Sequence, residues 1–288
     1  MFQPKISIIV PSNKGSDKIK DLLDGLEMQD YPKDNIELII IDDDKPDGLE
    51  EKLNSIKSGY SFKIDYKRIE HKGVSTSRND GILRSSGDYI LFLSIDTCPI
   101  NKDFLNEHMS VHNKDHDAAC LGPFEWHPKI KKTPLMDFIQ NRIYQLDSLL
   151  DPKRDNFTLF MTYNISLNRK WLKDDMFNEE LTYGYEDTEL GCRLCEKGLK
   201  IIYNKNAHVY HNHEFTLESF MQRQIVMGQA LKKVSMIQKA FVWRCRKKMI
   251  LGLLSTLALP LLGLFSKESN LYFQLISWAY CSKGIMSS

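Results

Sequence analysis

The first half of the chain alternates short apolar runs with amphipathic segments. The run ISIIV (6–10) is continuous and apolar, which is typical of a strand buried on both faces. The segment SDKIKDLLDGLEMQ (16–29) gathers its apolar residues on one helical face, and we expect Ser16 to cap that helix. The same patterns predict strands at 36–42, 62–70 and 88–96, and helices at 47–58 and 74–86.

Repeated strand–helix units predict an α/β fold with a Rossmann-like, mainly parallel sheet and helices on both faces. Ligands of such sheets bind beyond the carboxyl ends of the strands. Three polar stretches follow predicted strands: PSNK (11–14), DDDKPDG (42–48) and SIDT (94–97). We therefore expect these stretches to line one site.

The second half is less regular. Strands are predicted within 117–122, 157–168, 200–204 and 207–213, and a long helix from about Thr216 to Ile237. In GYEDTELGCRLCEKGLKI (184–201), two carboxylates open a short helix. Acidic residues at a helix start can serve only to satisfy the helix dipole, so the position alone does not assign chemistry to them.

The C-terminal region differs in character. WRCRKKMILGLLSTLALPLLGLF (243–265) is a basic cluster followed by an uncharged, mostly apolar run near the short limit for crossing a bilayer. We expect a membrane-embedded or re-entrant tail in which Pro260 bends or breaks the helix. Its basic residues would stay on the cytoplasmic side. The alternative is a buried core helix, and the second apolar piece, 271–281, is too short to span alone.

Composition narrows the function. The 288 residues are 42% hydrophobic and 27% charged, which fits a folded protein, and a net charge of +1 implies no nucleic-acid partner. Cys192 and Cys195 form a CxxC without a second pair, so packing is favoured over a zinc site. No secretory signal begins the sequence, and we expect the folded part to be cytoplasmic.

The strand ends offer metal chemistry without a phosphate-binding loop. No GxGxxG follows the first strand and no GxxxxGK[ST] occurs, which argues against a dinucleotide-binding or P-loop enzyme. Asp96 ends an apolar run, and His211 or His213 of VYHNHE could join it to hold Mn²⁺ or Mg²⁺. Imidazole ligands favour Mn²⁺, although an HxH pair is more often a surface or core feature.

A series of segments resembles the inverting family 2 glycosyltransferases of the GT-A fold. They are SIIVPSNK, IIIDDDKPDG, GVSTSRNDGILRSSGDYILFLSIDT, NISLNRKWL, GYEDTELGCRLCEKGLKI and VYHNHE, in the family's order over about residues 4–230. The resemblance implies sugar transfer from a nucleotide diphosphate sugar, with UDP-sugars favoured, to a hydroxyl group. The tail is similar to that of members with membrane-associated C-terminal helices, which implies a lipid-linked or cell-surface glycan acceptor and a location at the cytoplasmic face of the cell membrane.

The resemblance also implies roles for single residues. Asp187 would be the catalytic base, with Glu186 beside it. Asp96 and His211 would bind the metal, with His213 as the alternative to His211. The donor-binding residues would be Pro11, Asn13, Asp42, Asp43, Gly73, Arg78, Asn79, Ser94, Ile95 and Asp96. Residues 1–98 would form the nucleotide-sugar-binding half, 99–240 the acceptor-binding and catalytic half, and 241–288 the membrane-associated tail.

Departures from the family pattern keep two other functions open. Ser94 stands where the first Asp of the DxD motif is usual, and Asn13 and Lys14 stand where Tyr and Asn are frequent. A catalytically inactive nucleotide-sugar-binding or assembly subunit is the first alternative. A nucleotidyltransferase is the second, although the expected glycine- and lysine-rich loop is a poor match to VPSNKGS (10–16).

Overall fold

The computed structural model describes residues 2–43, 46–143, 156–258 and 269–287. A seven-stranded sheet forms its centre, in the order β3-β2-β1-β4-β8-β6-β9. The strands are β1 (Ile6–Ser12), β2 (Ile36–Asp42), β3 (Lys63–Arg68), β4 (Tyr89–Leu93), β6 (Ala119–Leu121), β8 (Asn164–Asn168) and β9 (Ile201–Tyr203). Because only β8 pairs antiparallel with its neighbours, the prediction of a mainly parallel α/β sheet is confirmed.

The helices cover the sheet on two sides and divide its apolar residues into two clusters. One cluster contains alternate residues of β1 such as Ile6 and Ile8, and the other contains Ile9, as expected for a strand buried on both faces. The helices up to this sheet's last strand are α1 (Ile19–Glu27), α2 (Leu49–Ile56), α3 (Val74–Arg84), α4 (Phe104–Lys114), α5 (Pro134–Phe138) and α6 (Glu186–Glu196).

A second, three-stranded sheet connects distant parts of the chain. It consists of β5 (Thr97–Pro99), β7 (Phe124–Trp126) and β10 (Val209–His211), in the order β5-β10-β7. β10 runs antiparallel to β5, with His211 opposite Thr97, and parallel to β7. The segment that follows β4 therefore lies beside the VYHNHE segment.

The last three helices pack on one another. They are α7 (Leu217–Ile237), α8 (Val242–Ala258) and α9 (Asn270–Ser287). Thr216 caps α7 and exchanges hydrogen bonds with Ser219 in a capping box. Small residues bring the helices close, since a Cβ at Gly228 would lie 2.0 Å from the carbonyl oxygen of Cys281.

Three sequence predictions need correction. Lys18, not Ser16, precedes α1, and it makes no side-chain capping bond. Only Asn164–Asn168 of 157–168 is a strand, because Asn156–Leu159 forms a 3-10 helix. Among the described residues, none of the helices has the combination of length and apolar character that a bilayer crossing requires.

The structure does not test every prediction. Pro260 lies outside the described residues, as do Asp44 and Lys45 of the segment DDDKPDG (42–48). The division at 98/99 stays a prediction, and β6, β8 and β9 from its second half extend the sheet of the first. Cys192 and Cys195 both lie in α6, where each packs in an apolar cluster.

Candidate active site

The two acidic residues after β2 have different partners. The buried Asp42 carboxylate accepts a hydrogen bond of 2.7 Å from the Tyr66 hydroxyl and lies 3.3 Å from Nε of Arg68. The buried Asp43 carboxylate accepts backbone N–H bonds of 2.8 Å from Lys72 and Gly73. Asp43 therefore fixes the start of α3, while Asp42 is tied to β3.

Gly73 joins the start of α3 to the loop before α6. Its φ of +97° lies in the left-handed region that favours glycine, and a Cβ there would come within 2.7 Å of the Thr182 carbonyl oxygen. The N–H of Val74 donates to the same carbonyl at 2.9 Å, and the Ser75 hydroxyl donates to the carbonyl of Leu181. The donor-side loop and the acidic motif are thus held in contact.

Arg78 and Glu186 form a buried ion pair across this junction. Nη1 of Arg78 donates to Oε1 of Glu186 at 2.8 Å, and both side chains are almost fully buried. The guanidinium also lies 5.2 Å from the centre of the Phe177 ring. Nε of Arg78 and Oε2 of Glu186 are buried without a hydrogen-bond partner among the described residues. A polar group entering this region would find one donor and one acceptor available.

Asp187 opens α6 after an unusual turn. Gly184 and Tyr185 have φ values of +88° and +61°, so the chain reverses sharply just before the acidic pair. The Asp187 carboxylate accepts hydrogen bonds from the Thr188 N–H at 2.6 Å and from the Thr188 hydroxyl at 3.1 Å. The pKa of Asp187 is raised to about 6, first by burial and then by the negative charge of Glu186, against the lowering effect of Arg78. A partly exposed carboxylate with this pKa can accept a proton near neutral pH.

Asp96, His211 and His213 form a cluster beyond β4. Oδ1 of Asp96 lies 3.2 Å from Nε2 of His211, and Oδ2 lies 3.1 Å from Nδ1 of His213. Burial alone would raise the pKa of Asp96, but the two imidazoles hold it well below its usual range. One ligand atom from each residue lies within 4.8 Å of the others, which is close enough to share a metal ion. Both histidines that the sequence offered as alternatives therefore reach Asp96.

Aromatic rings support this cluster. The Trp126 indole stacks on His211, with 5.6 Å between ring centres and 13° between planes, and Phe215 lies 4.5 Å from the His213 ring. Nδ1 of His211 is buried and has no hydrogen-bond partner among the described residues.

The other predicted donor-binding residues lie at the end of β1, after β4 and on α3. Pro11 lies in β1, and Asn13 follows it at the same sheet edge. Ser94 and Ile95 link β4 to Asp96, and a Cβ at Gly15 would lie 2.5 Å from the Ile95 side chain. The Asn79 side chain instead bonds the loop at 177–179, because its amide donates to the Phe177 carbonyl and the Glu179 carboxylate.

Sequence reasoning missed several residues of this site. Tyr66 and Arg68 alternate along β3 and therefore reach one side of the sheet, where both contact Asp42. Both strands were predicted, and pairing them in parallel would have placed Tyr66 and Arg68 near Asp42. Thr182 carried no signal at all, because its contact with Gly73 spans more than a hundred residues.

Comparison with known proteins decides the family. The profile of glycosyl transferase family 2 matches residues 7–175, more than half of the chain. The chain belongs to glycosyl transferase family 2. The predicted family is thereby confirmed, and the match supports the prediction of a transferase enzyme.

Individual relatives are distant. The glycosyltransferase YfnE of Bacillus subtilis is 26% identical over 68% of this chain, and the chain spans 61% of that protein. The solved structure of Staphylococcus aureus TarS with UDP is 20% identical, covers 79% of this chain and 65% of its own, and gives a TM-score of 0.56. The solved structure of the mannosyltransferase PcManGT of Pyrobaculum calidifontis, with GDP-Man and Mn²⁺, is 14% identical. The match covers 99% of this chain and 88% of PcManGT, with a TM-score of 0.71. Both structures support the GT-A-like fold.

Proposed function

We propose that this glycosyltransferase inverts the anomeric centre of a sugar as it moves that sugar from a nucleotide diphosphate to an acceptor hydroxyl. The observation that most supports this function is the Asp187 carboxylate at the start of α6, whose raised pKa of about 6 suits a general base. Arg78, and a cation held by the Asp96 cluster, would supply the positive charge that a diphosphate needs.

In the proposed step, Asp187 accepts the proton of the acceptor hydroxyl while that oxygen forms a bond to the anomeric carbon. The bond from that carbon to the diphosphate oxygen breaks, and its electron pair leaves with the nucleoside diphosphate. A single displacement inverts the centre, so no covalent bond between sugar and enzyme is required. The guanidinium of Arg78 would stabilise the negative charge that grows on the departing diphosphate.

Asp96, His211 and His213 would hold a divalent ion, Mn²⁺ in preference to Mg²⁺ because two ligands are imidazoles. The close approach of one ligand atom from each of the three residues fits such an ion. When bound, the ion would neutralise charge on the diphosphate. Ser94 in place of a second aspartate is consistent with a set in which His213 completes the ligands.

A UDP-sugar is the favoured donor and a lipid-linked or cell-surface glycan the favoured acceptor. TarS binds UDP and is named a poly(ribitol-phosphate) β-N-acetylglucosaminyltransferase, whereas PcManGT binds GDP-Man, so the relatives support a nucleoside diphosphate more firmly than its base. We propose that the enzyme works at the cytoplasmic face of the cell membrane.

Asp187→Asn tests the proposal. We expect this variant to lose transfer by about 100-fold or more, because the asparagine amide cannot take the proton, while donor binding stays nearly unchanged. Release of nucleoside diphosphate measures transfer, and titration calorimetry with the donor measures binding. Glu180→Gln, an exposed acid of the same loop, is the matched control.

Three outcomes would count against this function. Normal turnover by Asp187→Asn would reject the assignment of the base. Donor binding by the wild-type protein without any turnover would favour the inactive assembly subunit, and release of pyrophosphate would favour a nucleotidyltransferase.

A further inference from the structure

One face of α8 exposes apolar residues, with two basic residues among them near the start of the helix. Trp243, Ile250, Leu254 and Leu257 recur at helical spacing, and Trp243 is 66% exposed and Leu257 78% exposed. Leu253, also exposed, lies at the edge of the same stripe. From Trp243 to Leu257 the stripe is about 21 Å long at the usual helical rise.

The opposite face of α8 packs on the rest of the protein. Gly252 and Ser255 are buried, and a Cβ at Gly252 would lie 2.2 Å from the Ser282 side chain of α9. The Arg244 guanidinium lies 4.9 Å from the Phe157 ring centre, on the side of the helix away from the stripe. The helix is therefore fixed in place with its apolar stripe turned outward.

The stripe also carries positive charge at one end. Arg246 and Lys247 are exposed one turn after Trp243, and Nζ of Lys247 lies 4.8 Å from the Trp243 ring centre. The sequence of α8 contains no aspartate or glutamate. Basic residues and a tryptophan next to aliphatic residues are the composition of helices that lie in the interface of a membrane.

We propose that this stripe docks on an anionic lipid bilayer, with α8 lying in the plane of the membrane. Ile250, Leu253, Leu254 and Leu257 enter the boundary between headgroups and acyl chains, and Arg246 and Lys247 contact the anionic headgroups. This inference specifies, and rests on, the proposed membrane location, and it is independent of the transfer chemistry.

A second copy of the chain fits the stripe less well. Two copies paired through α8 would place Arg246 and Lys247 against leucines or against the same cations of the other copy, because the helix offers no carboxylate. In a bilayer, anionic headgroups would match the basic residues of the stripe, and the acyl chains would match its aliphatic residues.

The start of the docking helix lies close to the acidic motif. Tyr185, which precedes Glu186, contacts the Phe241 ring at 6.0 Å between centres, and Phe241 immediately precedes α8. The start of α6 is thus linked through one aromatic contact to the start of the docking helix, which suits an acceptor held at the membrane surface.

Vesicle sedimentation of the full chain tests the proposal. We expect binding to vesicles of phosphatidylcholine and phosphatidylglycerol, weakened by salt, and a loss of about tenfold or more in the double variant Leu254→Glu and Leu257→Glu. Leu83→Glu is the matched control, since Leu83 is 72% exposed but lies on α3, and it should bind as the wild type does.

Arg246→Gln with Lys247→Gln should reduce binding to the anionic vesicles while leaving the small binding to pure phosphatidylcholine unchanged. Thermal unfolding checks that each variant is folded, and transfer to a soluble acceptor checks the chemistry separately. Equal vesicle binding by wild type and the double leucine variant would overturn the proposal. So would a dimer in light scattering that the leucine variant abolishes without any vesicle binding.

Discussion

At the scale of single residues, two adjacent carboxylates have different surroundings. Glu186 faces Arg78 inside the protein at 2.8 Å, whereas Asp187 bonds the start of its own helix and stays partly exposed. The pKa of Asp187 is raised first by burial and then by the charge of Glu186, so the basicity of Asp187 depends on its neighbour. The proposed base is Asp187, and Glu186 is the residue that holds Arg78 and tunes the base.

Glu186→Gln should shift the pH–rate profile of transfer to lower pH. The wild-type base must be deprotonated, so activity should fall as the pH drops through about 6. Without the charge of Glu186, Asp187 loses the second cause of its raised pKa, and the uncompensated Arg78 lowers that pKa further. The measurement is kcat against pH, with Glu180→Gln as a control that leaves the profile in place. An unchanged or upward-shifted acid limb would rule out this coupling.

The Asp96 cluster makes a separate prediction about metal binding. We expect Mn²⁺ to raise the Tm of the wild-type protein in the presence of UDP, and Asp96→Asn, His211→Gln and His213→Gln each to reduce that rise. Loss of one ligand should lower the affinity for Mn²⁺ by roughly 10-fold or more. His116→Gln, an exposed histidine beside Tyr89, is the control. If His213→Gln bound Mn²⁺ as the wild type does, the site would contain one histidine, as the sequence first suggested.

At the scale of elements, the sequence predicts strands and helices well but not their pairing. The apolar run 36–42 predicts a strand buried on both faces, and β2 is indeed buried at every position. The contact between Asp96 and His211 depends on pairing of β10, which lies within a predicted strand, with β5, whose three residues are too few to leave a pattern. The Arg78–Glu186 pair, 108 residues apart, likewise depends on a long-range contact, in which the start of α3 bonds the Thr182 carbonyl before α6, and neither motif predicts it.

The C-terminal helices show where hydropathy alone fails. The apolar run after Lys248 predicted a membrane-embedded segment, but α8 buries Gly252 and Ser255 against α9 and exposes its leucines. A window average cannot separate these faces, because a helix with one packed face and one apolar outer face has the same mean as a helix that is apolar all round.

At the scale of the whole molecule, two buried histidines couple stability to pH. His108 and His112 lie one turn apart on α4, and both bond the Ser166 hydroxyl in the central sheet, at 2.9 Å and 2.8 Å. Oδ1 of Asn164 lies 3.0 Å from the second nitrogen of His108. Burial lowers the pKa of His108 to about 3 and that of His112 to about 4. Both rings therefore stay neutral in the folded protein at neutral pH.

We expect the free energy of unfolding to fall by a few kcal/mol, to order of magnitude, as the pH drops from about 6.5 towards 4. The unfolded chain binds protons at these histidines near pH 6.5, whereas the folded protein does not until much lower pH. The stabilisation is therefore complete above pH 6.5 and is lost below it. Urea unfolding at a series of pH values measures the slope. His108→Gln and His112→Gln should be less stable at neutral pH but should lose less stability between pH 6.5 and 4, while the exposed His116→Gln should keep the wild-type slope. The same slope in all four proteins would show that other groups carry the acid sensitivity.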